Sequence, residues 1–468
     1  MTFRQRSLPL ARVALALLLL AAALAYAAPA RAAGPEIGVS DDQILTYTGG
    51  AAADRAIAEW QRMGVDNVRI VVRWNLVAPG ARSTRRPAGF NPKDPNQYAW
   101  ALYDAAVNRA VAAGMTVSLV LTGPAPYWAT RQPRRRNGLY LPSPRPYGQL
   151  AAAAASHFRG RLERITLWNE PNIQGWLSPQ NKCKRRRCTP VAPHTYRNLV
   201  RAAYPAVKRV DRRLEVSVGA LAPKGSNLRR ANATERPLVF LRAMGCVNSR
   251  LRKIRSGACK RYKPFRADTW SHHPHGLFNP PSRPFSNRDE VDIASLPRLE
   301  RVLDRLVRLH RLRKGRRGKL ALNLDEYAYQ TNPPDRIQGI SLSKQDRFMQ
   351  QGAYIAWKDP RVRNLTQYQW YDEPYHRRRG DWQSGVRFVN GRAKPSLRHF
   401  PTPFFVDRRA QRVWGQIRPG GRHVVEVQRR VGKRRFRRLK RVRTDSRGYY
   451  SVRTRMSRRM SYRFRVVS

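Results

Sequence analysis

Two glutamates close short apolar runs far apart in the chain: Glu170 in "ITLWNEPN" and Glu326 in "LALNLDEYAY". The first run (Ile165, Thr166, Leu167, Trp168) ends on Asn169 and Glu170 and is stopped at once by Pro171, which leaves a polar pair at the tip of a strand. A pair in that position is either a turn or a site. Where parallel strands close into a barrel, residues at their C-terminal ends face one cavity. Two carboxylates across a cavity are what cleavage of a glycosidic bond needs: one protonates the leaving oxygen, the other attacks or stabilises the anomeric carbon. Asp325 stands directly before Glu326, and simple strand alternation lets only one of two neighbours point inward.

The elements that would position these residues recur with a regular alternation from Glu36 to Pro374. Eight short runs read as strands: 36–40, 67–74, 116–121, 165–170, 215–221, 267–273, 320–327 and 365–371. Between them, stretches such as "ADRAIAEWQRMG", "YAWALYDAAVNRAVAAG", "YGQLAAAAASHFRGRL", "TYRNLVRAAYPAVKRV" and "LPRLERVLDRLVRLHRLRKG" repeat apolar residues at three and four, the helical period. Eight strands each followed by a helix close most economically as a (β/α)8 barrel. A doubly wound open sheet would want a Gly-rich phosphate loop after its first strand, and none is present. Arg69 and Arg73 lie two apart in the second run, on one strand face. Trp128, Trp168, Trp176 and Trp370 fall at or near strand ends, where an indole can stack on a sugar or fill the core; Trp370 is the expected sugar platform.

The two ends of the chain differ from this middle. Arg4, Arg6 and Arg12 precede an apolar run of about 16 residues, shorter than the roughly 20 that span a membrane, and "APARA" follows with small residues. Residues 1–32 therefore read as a secretory signal, with a mature chain that is exported, spans no membrane and, in one reading, associates with the cell wall. Export suits disulfides, and the four cysteines read as the local pairs Cys183/Cys188 and Cys246/Cys259, one choice among three connectivities. Their spacing does not match zinc ribbons or fingers, and there is no H-E-x-x-H pattern, so no metal or organic cofactor is expected. Pro401 and Pro403 bracket a linker. Beyond it, residues 403–468 alternate with period two in four runs and carry about twenty Lys and Arg, which predicts a small basic antiparallel β-sandwich. The whole chain has 92 Lys+Arg against 30 Asp+Glu, a formal charge of +62 that attracts polyanions. Export and the lack of a recognition-helix pattern in the tail argue against a specific nucleic-acid partner.

"WNEPN" and "LNLDEYAY" resemble the strand-4 and strand-7 motifs of the clan A (β/α)8 glycoside hydrolases, and the chain is similar to families 5 and 39 over roughly residues 36–400. The resemblance implies that Glu170 is the general acid/base and Glu326 the nucleophile of a retaining hydrolase. It implies that Asn169 binds the sugar 2-hydroxyl and that Arg69 lies against the nucleophile. His273 and His275, in "WSHHPH", fall where relatives often place a His or Tyr near the nucleophile. In this clan a small or hydroxyl residue usually precedes the nucleophile, and Asp325 departs from that. The tail resembles bacterial Ig-like or carboxypeptidase-regulatory-like modules through "TDSRGYYSVR". These readings together give a barrel over 33–402, a module over 403–468, a carbohydrate substrate, a monomer, and an anionic cell-wall polymer as a partner of the module. The alternative is a barrel without activity that acts as a wall- or polyanion-binding protein.

Overall fold

The computed structural model describes residues 34–184, 187–226, 230–376, 381–457 and 459–467. The expected signal, 1–32, lies outside them. Eight parallel strands close into a barrel: β1 (Glu36–Ser40), β2 (Asn67–Arg73), β3 (Thr116–Thr122), β4 (Arg164–Leu167), β5 (Glu215–Leu221), β6 (Thr269–His272), β7 (Ala321–Tyr327) and β8 (Val362–Tyr368). Each strand pairs with the next in chain order, and β8 closes on β1. Seven helices of eight residues or more pack around them: α1 (Gly50–Arg62), α2 (Ala101–Ala112), α3 (Pro144–His157), α4 (Ala192–Val210), α5 (Pro237–Met244), α6 (Leu296–Arg308) and α7 (Leu342–Lys358). Both faces of the strands are covered, which is why runs such as "NVRIVV" are apolar throughout rather than alternating. The alanines of α3 let it approach its neighbours closely. A Cβ at Gly148 would fall 2.9 Å from the Ala202 carbonyl of α4, so that contact requires glycine.

Three boundaries depart from the sequence reading, each for a local reason. The expected sixth strand, 267–273, is split at Asp268, whose carboxylate accepts from the Val216 N–H at 2.9 Å and the Tyr204 hydroxyl at 2.7 Å. Phe265–Ala267 pairs instead with Leu312–Lys314. The helix expected to run on to residue 315 stops at Arg308, because His310 turns left-handed (φ 58°) and leads into that short pair. β4 ends at Leu167, three residues before Glu170.

The C-terminal module has six strands where four were expected: β9 (Phe404–Asp407), β10 (Arg412–Gln416), β11 (Val424–Arg430), β12 (Phe436–Arg443), β13 (Tyr449–Arg453) and β14 (Tyr462–Val466). They form two three-stranded antiparallel sheets, β9-β10-β13 and β12-β11-β14, over a core of Val413, Ile417, Val425, Val427, Tyr450 and Val452. The first two strands lie between the linker at Pro401 and Pro403 and the first of the four expected runs. The module is docked rather than tethered: Trp414 stands against Tyr354 and Trp357 of α7, and the Tyr449 hydroxyl donates to the Pro35 carbonyl at 2.8 Å. Those contacts lie beside the N-terminal ends of β1 and β2, the end of the barrel away from Glu170 and Glu326. Disulfides join Cys183 to Cys188 and Cys246 to Cys259, the two local pairings. No helix among the described residues is long and apolar enough to cross a membrane.

Candidate active site

After Leu167 the chain leaves β4 through left-handed conformations at Trp168 (φ 73°) and Glu170 (φ 37°). Such backbone in bulky residues costs of order 1–3 kcal/mol and persists only where its surroundings impose it. Here they do. The Trp168 N–H donates to the Leu121 carbonyl and the Glu170 N–H to the Ala220 carbonyl, both at 2.9 Å. The Trp168 indole N–H donates to the Trp176 carbonyl at 2.9 Å. Asn172 supports the same turn: its amide donates to the carbonyls of Ala222 and Glu235, and its oxygen accepts from the Ala222 N–H. The second asparagine of "WNEPN" is therefore the brace of the motif, a role that went unread in the sequence.

β7 holds a second irregularity that decides the site. Leu324 pairs with Leu365 and Tyr327 with Gln367, so three steps on β7 meet two on β8, a β-bulge. The extra residue defeats simple alternation. Asp325 and Glu326 both face the barrel interior, where alternation would have allowed one. Arg69 Nε lies 3.6 Å from Asp325 Oδ2, and Arg69 Nη1 lies 2.9 Å from Glu326 Oε1.

His273 ties the carboxylates together. Its Nδ1 lies 3.0 Å from Glu170 Oε1 and 3.4 Å from Glu326 Oε2, and its Nε2 lies 3.4 Å from Asp325 Oδ1. Burial disfavours a charged imidazole, yet Glu326, Asp325 and Glu170 together push the His273 pKa up to about 10. Burial would likewise raise Glu326, but the charges of His273 and Arg69 and the nearby His275 outweigh it and hold this carboxyl well below its ordinary range. Asp325 is held down in the same way, against burial, by His273 and Arg69. Glu326 is thus an ionised carboxylate at neutral pH, while Glu170, with 16% of its side chain exposed, is the more open of the two.

The other expected residues divide. Asn169 joins the cluster, with Oδ1 accepting from Arg69 Nη2 at 2.7 Å; that bond turns its NH2 group away from the arginine, free to donate elsewhere. His275 accepts from the Ala328 N–H through Nδ1 at 3.2 Å, so its proton sits on Nε2, 3.6 Å from Glu326 Oε2. Trp370 does not reach the site. It is fully buried behind β8, its indole N–H donating to Glu59 Oε2 at 2.9 Å and its ring set edge-on to Trp60 and Phe400. In its place Tyr368 and Trp382 line the pocket beside His275, with the Trp382 ring centroid 5.2 Å from the imidazole. Trp382 follows the strand by fourteen positions, and no periodicity flagged it. Arg73 sits at the rim, its guanidinium 6.0 Å from the Trp176 ring. His272 is a core residue, bound to the Val291 carbonyl at 2.8 Å and pushed down to about 3 by burial.

His273, His275 and Glu326 offer donor atoms within 4.8 Å of one another, a set that a divalent cation could use. A ligating imidazole must be unprotonated. His273, held charged between three carboxylates, does not fit that requirement.

No family model matches the chain, and no curated protein matches it in sequence. Solved structures do match in fold. A family 39 glycoside hydrolase from Bacteroides cellulosilyticus WH2 superposes with a TM-score of 0.52 at 13% identity, over 93% of this chain and 81% of that one. A glucosidase from Croceicoccus marinus superposes with a TM-score of 0.50 at 12% identity, over 89% of this chain and 92% of that one. The chain has the barrel fold of these glycosidases.

Proposed function

We propose that the chain is an exported retaining glycoside hydrolase in which Glu326 is the nucleophile and Glu170 the general acid/base. One observation carries the reading: carboxylate oxygens of Glu170 and Glu326 both lie within 3.4 Å of the same nitrogen, His273 Nδ1. The nearest oxygens of the pair are therefore at most about 6.4 Å apart, close enough for both carboxyls to flank one glycosidic bond. Glu326, ionised and braced by Arg69, attacks the anomeric carbon as Glu170 gives its proton to the departing oxygen. A glycosyl ester on Glu326 results. Glu170, now the base, takes a proton from water, which attacks the same carbon and releases Glu326 with net retention. The free NH2 of Asn169 is placed to bind the sugar 2-hydroxyl, a bond that strengthens as positive charge grows on the ring.

Glu170→Gln should lower kcat/KM on a glycoside with a poor leaving group by roughly 10²–10⁴-fold. Glu326→Gln should abolish turnover of that substrate and of an activated aryl glycoside alike, and proton NMR of early product should show the substrate's anomeric configuration. If both variants hydrolysed the aryl glycoside like the wild type, neither carboxylate would be catalytic and the assignment would fall; a wild type inactive on every glycoside tried would make the barrel a binding protein.

A second, compatible reading concerns the module. On the outer face of β12-β11-β14, Arg438, Arg441, Arg463 and Arg465 surround Glu426, which is already bound by Gln428 and Arg441. An array of exposed guanidiniums suits an anionic wall polymer, held at the end of the barrel away from the carboxylates. Retention on a teichoic-acid or uronate matrix should fall steeply with salt, and retention insensitive to salt counts against it.

A further inference from the structure

The loops that follow β2 and β3 rise on the same side of the barrel as Glu170, and between them lies a cavity of 590 Å³. It is lined by Thr84, Arg85, Arg131, Gln132, Pro133, Arg134 and Arg135. Four of these seven are arginines and none is acidic. Arg135 is held in place, its Nε donating to Gln132 Oε1 at 3.2 Å and its guanidinium 4.0 Å from the Tyr140 ring. Among the described residues, no carboxylate lies within ion-pairing distance of any of the four.

The cavity is also wired to the catalytic turn. The Arg131 N–H donates to the Leu141 carbonyl and the Leu141 N–H to the Ser178 carbonyl. Ser178 lies two residues beyond Trp176, whose carbonyl receives the Trp168 indole. Arg73 lies over the Trp176 ring, 6.0 Å from its centroid, and adds a positive charge beside the turn that carries Glu170.

We propose that this cavity is a subsite for the carboxylate or sulfate groups of an anionic polysaccharide, so that the substrate is an acidic glycan whose charged units lie remote from the bond that is cut. Planar guanidiniums left without acidic partners match such oxyanions in a paired, two-bond geometry. The proposal rests on the glycosidase reading for the use of the subsite, but the binding it predicts does not require turnover.

The test is therefore made on the full chain carrying Glu326→Gln, by calorimetry with two probes: an oligogalacturonate and a sulfated hexasaccharide of the heparin type. Each is compared with its carboxyl-reduced or desulfated form. Two triple variants of equal charge are then measured. Arg131→Gln/Arg134→Gln/Arg135→Gln removes the cavity, whereas Arg209→Gln/Arg212→Gln/Arg213→Gln removes three exposed arginines at the opposite end of the barrel. The cavity variant should weaken binding of one or both acidic probes by about tenfold and leave the neutral forms unaffected, with the control near wild type. Which probe responds names the oxyanion. Equal weakening by both variants would reduce the effect to general attraction by a basic surface and overturn the subsite, as would no weakening at all. A wild-type chain that hydrolyses neither the acidic glycans nor an aryl glycoside, with cavity-specific binding intact, would instead overturn the enzyme and spare the subsite.

Discussion

Arg69 and His273 carry positive charge into a pocket that also holds Asp325 and Glu326, and the balance between them sets the chemistry. Removing one cation leaves a buried carboxylate unpaired, which typically costs 3–5 kcal/mol and raises the pKa of the orphan. Arg69→Gln should therefore destabilise the fold by about that amount and move the acidic limb of kcat/KM to higher pH, because Glu326 must be ionised to attack; an unmoved limb would remove Arg69 from this role. His273 makes a complementary prediction. Its pKa in the fold, about 10, lies above the ordinary histidine value, so its contribution to stability is complete below pH 6.5 and is lost as pH rises toward 10. Urea midpoints should fall across that window, and the fall should be shallower in His273→Gln. Parallel slopes in the two proteins would show that the imidazole is not held charged.

At the scale of elements, the catalytic geometry depends on two irregularities, the left-handed turn after β4 and the bulge in β7. Neither belongs to regular secondary structure. The period-two and period-3.6 patterns report which faces are buried, so they placed all eight barrel strands to within a few residues and put Glu170 and Glu326 at strand ends; Arg69, Asn169 and the two histidines were named through the family resemblance. A bulge leaves no such pattern, because Leu322, Leu324 and Tyr327 are all apolar and mask the change of register. For the same reason Asp325 and Glu326 read as alternatives although both face Arg69 and His273. Trp370 failed as a platform because a strand end alone does not say which face the side chain takes. Asn172 tests whether the turn matters as argued. Asn172→Ala removes three hydrogen bonds of 2.9–3.2 Å and leaves the Ala222 and Glu235 carbonyls without them. We expect a stability loss of about 1–3 kcal/mol together with a fall in kcat of up to about 10²-fold with little change in KM, since Glu170 is displaced from the leaving oxygen. A loss of stability with kcat unchanged would make the asparagine a brace for the fold alone.

The whole molecule is bound together where the tail meets the barrel. The composition change near Pro401 read as a linker, but Trp414 is fully buried among Tyr354, Trp357 and Tyr449, and Arg447 pairs with Glu36 at 2.8 Å at the start of β1. Arg418, also buried, donates to the Phe400 carbonyl at 2.7 Å. Trp414 and Tyr449 thus belong to the barrel's apolar core, while the module keeps a second one between its sheets, and the barrel's N-terminal end is completed by the tail. A chain cut after residue 402 should expose Tyr354 and Trp357 and leave β1 without its cover at Pro35 and Glu36. Trp414→Ala, a milder lesion, should cost about 3–5 kcal/mol, the usual penalty for emptying a buried indole site. In calorimetry the intact chain should then unfold in a single transition, and Trp414→Ala should shift that transition to lower temperature as one unit, lowering the barrel's stability although the substitution lies in the tail. Two separable transitions, with only the smaller one moved by Trp414→Ala, would restore the linker and make the basic sheet an independent appendage.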